Sequence, residues 1–210
     1  MTSPRRCDQA GGGGGRAGRR QHAARAGQTH EVEITIPIHD AFHGGTRRIT
    51  LSTTDEEGEE SSRNYDVRIP PGVTEGSTIR LPGQGGEGVG GGPAGHLLLR
   101  VHLAPDPRFR IDPAHKHNLI ATLSISPWEA ALGAKVPLET LDGEITLSIP
   151  QGSQSGQKLR IKGKGLPIKS DERGDLYAEL KIVVPRTLSD EERSLLEKLR
   201  DMSNFDARKT

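Results

Sequence analysis

IPPGVTEGSTIRLPGQG, residues 69–85, returns as IPQGSQSGQKLRIKGKG at residues 149–165, displaced by 149 minus 69, or 80 positions. In each copy Pro and Gly bracket a short run that alternates polar and apolar residues. Thr78-Ile79-Arg80-Leu81 is one run and Lys158-Leu159-Arg160-Ile161 the other. Such a run between turn signals reads as a short strand between tight turns. The likeness continues outward on both sides. Val67-Arg68 pairs with Leu147-Ser148, and Gly95-His96-Leu97 with Gly174-Asp175-Leu176. Upstream, Asp40-Ala41-Phe42-His43-Gly44 resembles Glu129-Ala130-Ala131-Leu132-Gly133, which predicts one short helical turn per copy. A segment repeated in this order is one supersecondary unit written twice. The expected fold class is mainly β, with two tandem similar small β-sandwich domains and a C-terminal helix.

The first copy spans 30–117 and the second 118–187. Val32-Glu33-Ile34-Thr35-Ile36-Pro37-Ile38 alternates as a half-buried strand does, and Arg48-Ile49-Thr50-Leu51-Ser52 repeats the pattern. Residues 53–64 hold five carboxylates and read as a solvated connector. Residues 1–29 contain Gly11 to Gly15, scattered arginines and almost nothing apolar. Burial cannot offset the entropy of ordering such a segment, so a flexible linker or tail is expected there. At the other end, Ser189-Asp190-Glu191-Glu192 has the form of a capping box. Leu195, Leu196, Leu199 and Met202 follow at helical spacing, which predicts a helix over 188–203 and a short tail over 204–210.

The 210 residues carry 29 Lys and Arg against 28 Asp and Glu, so no global charge draws the chain to nucleic acid or to a membrane. Aromatics are 3% and all hydrophobics 31%, so the cores must be thin and aliphatic. Cys7 stands alone, which excludes an internal disulfide and a cysteine-based zinc site. No apolar run approaches a membrane span, and a soluble, cytoplasmic protein is expected.

Catalytic patterns fail one by one. Gly83-Gln84-Gly85-Gly86-Glu87-Gly88 fits a dinucleotide fingerprint in spacing only, because more glycines and Pro93 follow where a helix must open. His115 and His117 share a strand face but lack a convergent third ligand. Carboxylates are scattered, and no nucleophile elbow or P-loop is present. No enzyme activity, cofactor or metal is expected. One basic feature stands out. Lys158, Arg160, Lys162 and Lys164 recur at period two, which on a strand is one cationic face suited to phosphates. On the residues alone, a solvated surface is the favoured reading.

The two copies, with Ser126-Pro127-Trp128-Glu129-Ala130-Ala131-Leu132-Gly133 and Gly174-Asp175-Leu176-Tyr177-Ala178 inside the second, resemble the C-terminal, client-binding region of DnaJ/Hsp40 co-chaperones. The likeness covers about residues 30–209 and extends to the Asn204-Phe205-Asp206-Ala207-Arg208-Lys209 tail. Within the family it is nearest to the curved DNA-binding members. The J domain's His-Pro-Asp tripeptide does not occur in the chain, and neither does the cysteine-rich zinc module, so the resemblance is to the zinc-free class.

The resemblance implies a shallow apolar groove on the first copy, where an unfolded client lies as an added strand. The groove residues it implies are Ile34 and Ile36, Ile49 and Leu51, with Leu97 or Leu99 on the floor. Arg47 would meet the acidic C-terminal tail of an Hsp70 chaperone by charge-assisted bonds. Without the resemblance, alternating Ile and Leu are simply core. Leu195, Leu196, Leu199 and Met202 would join two chains into a homodimer, and linked grooves gain by effective concentration. The alternative partner is DNA on the basic face of the second copy, with a nucleoid-associated location.

Overall fold

In the computed structural model, residues 24–54, 60–169 and 171–209 are described. The first copy contributes β1 (His30–Ile36), α1 (Ile38–His43), β2 (Gly45–Thr54), β3 (Glu60–Ile69), β4 (Thr78–Leu81) and β5 (Leu97–Leu103). β6 (Phe109–Asp112) links it to the second copy. That copy runs β7 (His115–Ile125), α2 (Pro127–Leu132), β8 (Ala134–Thr140), β9 (Gly143–Ile149), β10 (Lys158–Ile161), β11 (Pro167–Lys169), β12 (Glu172–Arg173) and β13 (Leu176–Ile182). α3 (Asp190–Met202) closes the chain.

The architecture is β-rich, and the repeat seen in sequence recurs in the sheets. One sheet has the order β1-β5-β4 and another the order β10-β13-β7-β6. Read from β7, the second is β7-β13-β10, the same order of corresponding strands, with β6 added at the edge. β13 runs parallel to β7, with Leu176 opposite Leu119, and antiparallel to β10. The remaining strands form the hairpins β2–β3, β8–β9 and β11–β12.

Each copy is built as a sheet with a hairpin across it. In the second copy Ile125 from β7, Ala130 from α2, Val136 from β8, Ile149 from β9 and Leu180 from β13 pack as one buried cluster. A small residue at 130 lets the helical turn lie against the sheet, and a capping box holds its start. The Ser126 hydroxyl accepts from the Glu129 N–H at 3.3 Å, while the Glu129 carboxylate accepts from the Ser126 N–H at 2.7 Å.

The first hairpin is longer than the second. Corresponding strand starts, Gly45 and Ala134, differ by 89 positions, and corresponding strand ends, Ile69 and Ile149, by 80. The first copy therefore holds nine extra residues within the hairpin. Two expectations change accordingly. The strands reach Thr54 and resume at Glu60, so much of the supposed connector 53–64 is strand. Of its carboxylates, those at 55–59 lie outside the described residues. Nor does the first strand extend to Ile38, because Pro37 ends it and caps α1 without a side-chain hydrogen bond.

Among the described residues the chain falls into two compact units, residues 24–32 with 80–98, and residues 33–79 with 99–209. Within the smaller unit, residues 24–29 correct the expectation of a free tail. Arg25 and Val89 exchange backbone hydrogen bonds at 3.0 Å, Gly27 donates to Pro93 and Gly86 donates to Gln28. Glycine makes this possible: a Cβ on Gly95 would sit 1.9 Å from the Gln28 carbonyl oxygen. Residues 1–23 lie outside the described residues.

The repeat also exposes one mismatched position. In the second copy the Asp175 carboxylate accepts from Arg160 at 2.7 Å and from the Gly163 N–H at 2.9 Å. The Gly163 N–H first, then Arg160, hold this carboxyl below its ordinary value. His96 occupies the matching place. Its Nδ1 lies 3.4 Å from the Gly83 nitrogen and its Nε2 2.6 Å from the Arg80 guanidinium. Both neighbours donate, but a neutral imidazole accepts at one nitrogen only. His96→Asp should therefore stabilise this turn by on the order of 1 kcal/mol. Slower amide exchange over residues 83–96 and a higher denaturation midpoint would show it; an unchanged or lower midpoint would contradict it.

α3 starts at Asp190, two residues after the expected 188, with its predicted capping box in place. The Ser189 hydroxyl accepts from the Glu192 N–H, and the Glu192 carboxylate from the Ser189 N–H. Among the described residues no helix is long and apolar enough to cross a membrane.

Candidate functional site

The strand carrying Ile49 and Leu51 has a free edge, because β2 pairs only with β3 among the described residues. Their register divides the hairpin into two faces. Thr46, Arg48 and Thr50 stand opposite Arg68, Asp66 and Asn64. This face is polar: Arg48 donates to Asp66 at 2.9 Å and Thr50 to Asn64 at 2.7 Å. The Arg48 hydrogen bond, then its charge, hold the Asp66 carboxyl low. Arg47, Ile49 and Leu51 take the other face, opposite Val67, Tyr65 and Arg63. Here Ile49, Leu51 and Tyr65 are each half-buried.

Comparison with the second copy shows that the start of this face is more open in the first. At the 89-residue displacement, Arg47 and Ile49 correspond to Val136 and Leu138, which are buried at 7% and 6% exposure. Replacing a buried Val by Arg at the start of the strand opens that end of the hairpin. The Arg47 guanidinium reaches back to Asp40 on α1 at 2.5 Å. Together with Gly44, Gly45, Thr46 and Ile69 they line a shallow depression.

The structure corrects the implied groove at four positions. Ile34, Ile36, Leu97 and Leu99 are at most 5% exposed, so in the unbound chain they are core and present no surface. The reason is strand alternation: Ile34 and Ile36 on β1, and Leu97, Leu99 and Val101 on β5, occupy the inward positions of their strands. Only Ile49 and Leu51 of the six remain accessible. Sequence reasoning missed Tyr65, whose signal is its place opposite Ile49 once the hairpin register is fixed.

The basic stripe is also reshaped. β10 ends at Ile161, so Lys158 and Arg160 lie on the strand while Lys162 and Lys164 lie in the turn beyond it. Arg160 is bound to Asp175, and Lys164 to Asp142 at 2.8 Å. Lys164 is the first cause of the depressed Asp142 carboxyl, and Arg173 bonds the same group. Lys158 and Lys162 carry no ion pair among the described residues, though Lys162 draws on Asp175 through space. Arg173 also lies 5.0 Å over the Phe42 ring, tying α1 of the first copy to β12 of the second.

On α3 every residue is exposed. Leu195 is 65% exposed, Leu196 43%, Leu199 63% and Met202 82%, with Phe205 just beyond the helix at 75%. Nothing else in the chain covers this stripe among the described residues.

Tandem sheet-and-hairpin units followed by an unpacked amphipathic helix define a two-copy β-rich module. The sequence matches the DnaJ C terminal domain over residues 30–185, and the chain belongs to that family. Among its relatives is a curved DNA-binding protein of Pseudomonas syringae pv. tomato, 42% identical over 91% of this chain and 62% of the relative. Proteins of the same name from Pseudomonas putida (43% identical over 93% of this chain, 62% of the relative) and Coxiella burnetii (42% over 90%, 61% of the relative) are similar. The chain spans about three fifths of the length of these relatives.

Proposed function

We propose that this chain holds extended apolar segments of unfolded proteins, as the client-binding part of a DnaJ-type co-chaperone that delivers them to an Hsp70. One observation carries the reading. The hairpin face of Ile49, Leu51 and Tyr65 is accessible beside the unpaired edge of β2, and at its start the second copy buries Val136 and Leu138 where the first has exposed Arg47 and half-buried Ile49. An added strand at that edge gains main-chain hydrogen bonds whatever its sequence, and the half-buried side chains favour apolar residues. Arg47 stands at the start of the same face. Its Asp40 partner is exposed enough for an incoming acidic tail to compete for the guanidinium. The work is binding, with neither catalysis nor a cofactor, in the cytoplasm. Saturable binding of a Leu/Ile-rich extended peptide, followed by fluorescence anisotropy, tests it.

The exposed stripe on α3 supports a homodimer. A lone helix of 13 residues is marginal in water. Burying its apolar stripe against a second copy supplies roughly 1.5–3 kcal/mol for each large side chain. Leu199→Asp should weaken self-association by about thirtyfold or more. Equilibrium sedimentation would show this as a shift from dimer to monomer; a parent chain already monomeric at micromolar concentration would remove the dimer from the account.

A second reading is favoured by the name of the relatives and by Lys158 and Lys162, which have no ion-pair partner among the described residues. In that reading the second copy contacts DNA phosphates and the protein associates with the nucleoid. Such binding would be sequence-tolerant and would fall steeply with added salt.

A further inference from the structure

His39 and His43 stand four residues apart on α1 and so share one helical face. Both are exposed, and their ring centroids lie 4.1 Å apart. The Nδ1 of His43 is 3.2 Å from the carbonyl oxygen of His39. A carbonyl only accepts, so that Nδ1 carries the proton and Nε2 is left with a lone pair. The Nδ1 of His39 lies 3.9 Å from the Asp40 carboxylate, beyond hydrogen-bond reach. An imidazole that gives one N–H to a carbonyl and keeps its other nitrogen bare, as His43 does, is oriented as metal-ligating histidines are.

The fold itself does not require histidine here. At the 89-residue displacement the second copy carries Trp128 and Leu132, also exposed, on α2. The pair is therefore a feature of the first copy alone, and both rings are exposed, that of His43 lying edge-on to Phe42 with centroids 4.8 Å apart.

We propose that His39 and His43 together form a two-imidazole site for a divalent transition ion, Cu2+, Ni2+ or Zn2+, bound through the two Nε2 atoms. Among the described residues no set of three or more His, Cys, Asp or Glu is placed to hold a metal. The protein thus supplies two ligands, and the other positions stay open to water or to a donor from another molecule. Nitrogen ligands with no imposed geometry follow the intrinsic order of the ions, so Cu2+ binds more tightly than Ni2+ or Zn2+. Binding needs neutral imidazoles.

Calorimetric titration of the full chain with the chloride salts of the three ions tests this. The background carries Cys7→Ser and His22→Ala, which removes the thiol and imidazole donors in residues 1–23. His39→Ala and His43→Ala should each weaken Cu2+ binding at least about tenfold, as loss of a group that holds or orients a metal does. His115→Ala, on β7, should leave it unchanged. Paramagnetic Cu2+ should broaden the imidazole proton resonances of His39 and His43 before those of the other histidines. No Cu2+ binding by the background chain would overturn the proposal. So would equal binding by the His39→Ala and His43→Ala variants, or a loss that follows His115 and His117 instead.

Discussion

The double substitution Ile49→Asp with Leu51→Asp should eliminate measurable binding of an apolar extended peptide while leaving the chain folded. Both side chains are half-buried in the free protein, so the new carboxylates keep contact with water and add little strain. At 51 the change is further tolerated because Arg63 stands directly across the hairpin, where opposite charges are favourable. With a client strand seated on β2 the situation reverses. Two carboxylates would then be covered by apolar side chains, each without a compensating hydrogen bond. Hot-spot losses at such anchors are about 2 kcal/mol or more, so the pair should weaken binding well beyond a hundredfold. Anisotropy titration measures the loss, and far-ultraviolet circular dichroism reports whether the fold persists. Binding within threefold of the parent, in a folded variant, would place the client elsewhere.

Ile36→Ala should have the opposite profile. Ile36 is fully buried, and truncating such a side chain leaves a cavity that the thin aliphatic core cannot refill. The expected cost is about 2–5 kcal/mol. Against a total stability of about 5–15 kcal/mol for a small domain, that is a large fraction. A denaturant titration should therefore show a strongly lowered midpoint. At a temperature where the variant is folded, its peptide affinity should match the parent's, because residue 36 has no exposed surface to offer. A variant of parental stability that loses peptide binding would return Ile36 to the groove.

These two results separate what the sequence shows from what it cannot show. Alternation along 32–36 and 97–101 marks one face of each strand as apolar, but an apolar face is equally suited to a core and to a groove. Which it becomes depends on what lies across from it, and that is set by the sheet order β1-β5-β4, which no local pattern encodes. Tyr65 escaped attention for the same reason. It lies in an otherwise polar stretch, and its role is visible only when the register puts it opposite Ile49.

The repeat, the two helical turns and the capping box of α3 were legible because each rests on residues close together in the chain. Glu192 stands three positions after Ser189, and that spacing alone fixes the geometry; the box at Ser126 and Glu129 has the same spacing and was found only in the structure. The cationic stripe was half legible. Period two identifies a strand face only while the strand lasts, and β10 ends before Lys162. The partners Asp142 and Asp175 come from other turns and are remote in sequence. Residues 24–29 read as tail because they are polar and glycine-rich, yet glycine on both sides lets their backbone pair closely with residues 86–93.

The most direct test titrates the parent chain into a fluorescent Leu/Ile-rich extended peptide, with a duplex DNA oligonucleotide in a parallel cell, each at low salt and at about 200 mM salt. A client-holding protein gives saturable peptide binding that survives the added salt, while any DNA signal fades. Tight DNA binding with no peptide binding at either salt would contradict the account and make the second copy's cations the working surface.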